Sequence, residues 1–67
     1  MNNLSSLLGA RIKLLYTSDA YTLLQPGVEG TVVYIDALNT IHVYWDNGSN
    51  LGLIPGVDCW LVIQVYA

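Results

Sequence analysis

The sequence predicts an all-β fold, and three observations carry that expectation. Apolar and polar residues alternate with a period of two in short runs such as Ala10–Tyr16 and Ile41–Trp45, the pattern of half-buried strands. β-Branched and aromatic residues crowd Gly30–Asp36 and Leu61–Tyr66, where a pleated surface suits them. Turn residues cut the chain between those runs, at Pro26-Gly27, Asn47-Gly48 and Pro55-Gly56, so most connections are tight.

Residues 1–9 read as an N-terminal arm. Leu4, Leu7 and Leu8 share one helical face, Asn2 or Asn3 can cap it and Gly9 can end it, so a short helical arm is expected. A helix of that length needs a surface to pack on. The domain, 10–67, opens with a strand over Ala10–Tyr16, with Arg11 and Lys13 on one face and Ile12 and Leu14 on the other. A long first loop follows, Thr17–Glu29, closed by Gln25-Pro26-Gly27. Proline fixes φ there and glycine supplies a positive φ, which predicts a type II turn.

Gly30–Asp36 is the second strand. Ala37–Thr40 connects it to Ile41–Trp45, with Asn39 suited to the left-handed position. Asp46-Asn47-Gly48-Ser49 is the strongest local signal, and its Asn-Gly predicts a type I′ hairpin turn. Asn50–Ile54 returns as a fourth strand, Pro55–Asp58 forms a single 3₁₀ turn, and Leu61–Tyr66 is the fifth strand. Five short strands, a long first loop, two tight hairpins and a helical turn before the last strand give the order of an SH3-like small five-stranded barrel. A five-stranded OB-type barrel is the rival. It needs longer strands and a helix between strands three and four, for which there is no room.

Alternation predicts a core of Ile12, Leu14, Val32, Ile41, Val43, Leu51, Leu53 and Ile63. Leu15, Leu23, Leu24, Val33, Tyr34, Tyr44, Trp60, Val62 and Val65 remain. A 67-residue chain buries only about 60% of its unfolded surface, so they do not all fit inside. The chain is 54% hydrophobic and 10% charged, against about 25% charged for an ordinary soluble domain. A contiguous apolar surplus marks an interface, and the expectation is self-association or a protein partner. If the arm folded over the surplus, that need would vanish.

Charge excludes other classes. Two basic residues against five acidic ones leave a net charge of -3 and a pI near 4.4, which opposes binding to a nucleic-acid backbone. No apolar run reaches the roughly 18 residues of a membrane span, and the first ten residues lack the basic start of a secretory signal. With Cys59 alone, no disulfide framework is expected and a reducing cytosol fits.

The chemical inventory is short. His42 and Cys59 lie far apart in sequence, and no nucleophile elbow, phosphate loop or dinucleotide fingerprint occurs, so no catalytic residue, cofactor or enzyme activity is expected. Asp46-Asn47-Gly48-Ser49-Asn50 lacks the further acids of a calcium loop, and no metal site is expected. The aromatics lead further: five Tyr and two Trp with no Phe give rigid contact area with polar tips. Tyr16, Asp19 and Tyr21 on the first loop, Tyr44 and Trp45 on strand three, and Trp60 after the 3₁₀ turn are the candidate partner- or ligand-binding residues. Arg11 and Lys13 are the candidate phosphate contacts.

The run Gly9-x-Arg11-Ile12-x-Leu14-x-Tyr16-Thr17-x-Asp19-x-Tyr21-Thr22, then Pro26-Gly27-x-x-Gly30-Thr31-Val32, Trp45-Asp46-Asn47-Gly48-Ser49 and Ile54-Pro55-Gly56-x-Asp58, resembles an uncharacterised small SH3-like domain family. That family occurs in phages, plasmids and other mobile elements of Gram-positive bacteria. The resemblance implies a phage or mobile-element product in a bacterial host. The chain lacks the acidic first-loop run and paired Trp of peptide-binding SH3 domains, which argues against a polyproline groove. The expected function is a non-enzymatic, homo-oligomeric binding module that blocks a host protein, in the context of antiviral defence. The alternative is a sponge that holds a small signalling nucleotide between subunits. A nucleic-acid-associated barrel ranks third.

Overall fold

A computed structural model describes residues 4–17 and 24–65 of the chain. Its elements are a 3₁₀ turn (Leu4–Leu7) and five strands: β1 (Arg11–Tyr16), β2 (Glu29–Ile35), β3 (Ile41–Trp45), β4 (Gly52–Leu53) and β5 (Cys59–Gln64). They form one antiparallel sheet in the order β4-β3-β2-β1-β5. The all-β expectation holds. The helical arm does not: Leu4–Leu7 makes one 3₁₀ turn, and Gly9 N–H then donates to Val32 O at 2.8 Å, tying the segment to β2.

Two hairpins share one geometry. In the β2–β3 turn, Asn39 N–H donates to Asp36 O and Asp36 N–H to Thr40 O, with Asn39 at φ 66° as expected. In the β3–β4 turn, Gly48 N–H donates to Trp45 O and Trp45 N–H to Ser49 O, with Gly48 at φ 88°. Asn47 keeps a negative φ, so the expected type I′ turn is replaced by a type I turn closed by a left-handed bulge residue. The Asn47 side chain accepts from Ser49 N–H at 3.0 Å, a local bond that favours this form.

Gln25–Val28 is the type II turn expected, with Val28 N–H on Gln25 O and Gly27 at φ 100°. Pro55–Asp58 is not a 3₁₀ turn. Gly56 takes φ 86°, and both Val57 and Asp58 N–H groups donate to Ile54 O.

The buried cluster is Ile12, Leu14, Leu24, Val32, Ile41, Val43, Trp45 and Leu53. It draws on β1 to β4 and on Leu24, just before the Gln25–Val28 turn, and no second layer of helices or sheet covers it among the described residues. Four expectations change: Trp45 is fully buried and Leu24 joins the core, whereas Leu51 is half-buried at its margin and Ile63 is 46% exposed. The last has a physical cause: Trp60 and Val62 pair with the buried Leu14 and Ile12, so the residues between and after them, Leu61 and Ile63, take the outward parity. Gln64 then pairs with Arg11, and a bulge follows at Ile63.

Gly30 explains how Trp45 fits. The two residues are paired across β2 and β3. A Cβ at Gly30 would sit 2.7 Å from Val43 Cγ1 and 2.9 Å from Trp45 Cε3, closer than packed carbons approach. The missing side chain is the space the indole fills.

Candidate functional site

Two surfaces of the sheet carry side chains with functional potential. The first is the outward face of β1, β2 and β3. Arg11 on β1 reaches across β2 to the turn after β3: its guanidinium donates to Asp46 Oδ1 at 2.8 Å and Oδ2 at 2.6 Å, and to Thr31 Oγ1 at 3.1 Å. Glu29 Oε1 stands 3.5 Å away. This two-pronged bond holds the Asp46 carboxyl below its ordinary 3.8, because ionised carboxylate is the form that accepts it.

Beside it, His42 Nε2 lies 3.0 Å from Asp36 Oδ2, and the Tyr34 ring packs against His42 with centroids 5.6 Å apart. Asp36 Oδ1 also accepts from the Leu38 and Thr40 N–H groups. The His42 hydrogen bond, followed by these backbone donors, lowers the Asp36 carboxyl. These contacts hold the β2–β3 turn. They bring no nucleophile or third metal-ligating group to His42, and no cluster of three or more His, Cys, Asp or Glu able to hold a metal occurs among the described residues.

The second surface is the β1–β5 edge. Leu15 and Tyr16, at the end of β1, are 49% and 56% exposed; on β5, Leu61, Val62 and Ile63 are 53%, 39% and 46% exposed, and Val65 beyond it 59%. Tyr16 pairs with Cys59, and Leu14 with Trp60, so the exposed end of β1 and the start of β5 are contiguous. β5 is the outermost strand, bonded to β1 alone. Its side chains are exposed on both faces, and none from Cys59 to Gln64 is charged. Water thus meets a continuous apolar band at one side of the molecule.

The expected site residues separate. Tyr16 and Trp60 come together across β1 and β5, with Trp60 half-buried against the core. Tyr44 is exposed, but β3 stands two strands from β1, so it belongs to the other surface. Trp45 is a correction: alternation with Ile41 and Val43 turns it inward, and its Nε1–H donates to Leu51 O at 3.0 Å, which leaves no polar tip for a partner. Arg11 is a correction in part, because Asp46 and Glu29 already neutralise it. Lys13 lies in register between Glu29 and Leu61. Asp19 and Tyr21 lie outside the described residues.

Sequence reading missed two things. The first is the Asp36–His42 pair, whose signal was the six-residue separation across a hairpin turn. The second is the weight of β5, since Leu61 went unremarked and Ile63 was assigned to the core. No described helix is long and apolar enough to cross a membrane.

A family model described as a domain of unknown function (DUF4314) matches residues 6–63. No curated protein and no solved structure matches the chain.

Proposed function

We propose that this chain, which belongs to the DUF4314 family, is a non-enzymatic binding module that acts by stoichiometric contact. It assembles with further copies and blocks a host protein in a bacterial cytoplasm. A phage or mobile-element origin, and antiviral defence as the target, come from the resemblance in sequence. The sheet curls into an SH3-like barrel. Supporting that closure, the order β4-β3-β2-β1-β5 is the one in which a four-strand meander is completed by a last strand returning to the first. A single sheet with one buried face and no second layer must also curl upon itself.

The observation that carries the binding reading is the apolar β1–β5 edge. Burying one such face removes about 25 cal/mol per Å² of apolar area from water, and soluble chains rarely leave a band of that kind open. Contact with another protein surface is the simplest use of it. Capture of host proteins from a bacterial lysate, with the wild-type chain and with Leu61→Lys side by side, tests the reading. A defined partner retained by the wild type and lost by the variant is expected. Equal capture by both, or none by either, would overturn it. Arg11, engaged by Asp46, is a poor phosphate ligand, and the nucleotide-sponge alternative is correspondingly weaker.

A further inference from the structure

β5 presents an uncharged strand edge whose main-chain N–H and C=O groups on one side have no neighbour in the sheet. Edges of natural sheets are ordinarily shortened, charged or interrupted by proline to prevent pairing; Cys59–Gln64 has neither charge nor proline. We infer that β5 pairs antiparallel with β5 of a second copy of this chain across a twofold axis at Leu61, merging two sheets into one. The inference deepens the binding-module reading and rests on it.

Four observations select a second copy as the occupant. The opposite edge, β4, has only two residues and runs into Pro55, while the Ile54 N–H is bound by Asp58 Oδ2 at 2.8 Å. A β5-to-β4 pairing is thereby closed off, and with it the open filament that a head-to-tail contact would generate. Of the two edge strands among the described residues, only β5 itself has matching length. Charge permits the contact despite the net -3: the acid nearest β5, Asp58, is buried with its carboxylate turned to the Ile54 N–H, Asp46 is neutralised by Arg11, and Asp36 lies at the β2–β3 turn, remote from β5 in the strand order. The described part of the N-terminal segment docks on β2 rather than β5, with Gly9 and Ala10 bonded to Val32.

Symmetry then fixes the register. An antiparallel pair related by a twofold axis perpendicular to the sheet must set one residue opposite its own copy, since facing residues point to the same side. Between Asp58 and Gln64 the strand holds five residues with neither charge nor amide, Cys59–Ile63, and their centre is Leu61. Trp60 then faces Val62 of the second copy and Cys59 faces Ile63, so every rung joins uncharged residues.

The test is cysteine crosslinking in the full chain. In a Cys59→Ser background, Leu61→Cys sets two thiols on facing residues, about 4.5–5.5 Å apart at Cα, which suits a disulfide. Val62→Cys in the same background sets them diagonally, at about 7–8 Å, too far to bridge. Mild oxidation should convert most of the Leu61→Cys protein to a covalent dimer and little of the Val62→Cys protein. Light scattering of the unoxidised wild type should give twice the 7.4 kDa chain mass, and Leu61→Lys should return it to a single chain. A wild-type oligomer with no preference for position 61 overturns the β5 pairing and leaves the binding module standing. A wild type that stays monomeric overturns the second copy, while the lysate capture decides the broader reading separately.

Discussion

At one side of the sheet β4 is two residues long; at the other β5 runs for six. The β4 edge is closed by Pro55, by Asp58 on the Ile54 N–H, and by Gly52, where a Cβ would press to 2.8 Å from Thr40 Cγ2. Leu53 is fully buried there. The β5 edge has no such closure beyond one bulge, and its side chains stay half exposed. Both strands join the same sheet, so the contrast lies in edge chemistry alone. It teaches that the chain protects one edge from pairing and leaves the other available.

The contrast can be broken most severely from beneath β4. Trp45 is fully buried, and its Nε1–H holds Leu51 O next to that strand. Trp45→Ala should cost about 3–5 kcal/mol, comparable with the whole stability of so small a domain, and circular dichroism should find the variant largely unfolded at 25 °C. Gly30→Ala strains the same place from the opposite strand. Overpacking of this kind costs about 1–3 kcal/mol, and a urea titration should show the midpoint falling with the slope unchanged.

Opening the protected edge is the next largest effect. Asp58 is 6% exposed, and Asp58→Ala leaves the Ile54 N–H without its acceptor, at a cost of about 1–3 kcal/mol. The amide of Ile54 should then exchange with deuterium much faster, while amides of β1 and β2 hold. On the other edge, Leu61→Lys should change stability by less than about 0.5 kcal/mol, because the side chain is half exposed, yet remove self-association.

The smallest effect is on pH. Asp46, bound by Arg11, titrates lower in the folded chain than the ordinary carboxyl at 3.8. Its pairing therefore stabilises fully above about pH 4, the unfolded range, and is lost as pH falls through the lower folded value. Asp46→Asn should flatten the acid limb of a plot of Tm against pH and leave the neutral limb little changed.

Much of the fold was legible before any coordinates, for local reasons. Pro26-Gly27 and Asn39 demand particular backbone angles, and both turns formed as read. Alternation located Ile12, Leu14, Val32, Ile41, Val43 and Leu53 inside. What escaped depended on contacts distant in sequence. Ile63 points outward because pairing of Trp60 and Val62 with Leu14 and Ile12 on β1 sets the parity of β5. Trp45 shares the inward parity of Ile41 and Val43, but the room that lets an indole fill that position comes from Gly30, fifteen residues earlier. The Asn47-Gly48 turn type is the local exception, decided by the Asn47 side chain accepting from Ser49 N–H two residues on. The site was less legible: the surplus of apolar residues was readable from composition, but its concentration at β5 follows from the strand order alone.

The central claim is that the β5 edge meets another protein surface, beginning with its own. Light-scattering mass across a wide concentration range, for wild type and Leu61→Lys together, tests it most directly. Twice 7.4 kDa for the wild type and a single chain for the variant is the expected result. A wild type that remains a single chain at the highest concentration, indistinguishable from the variant, would contradict it.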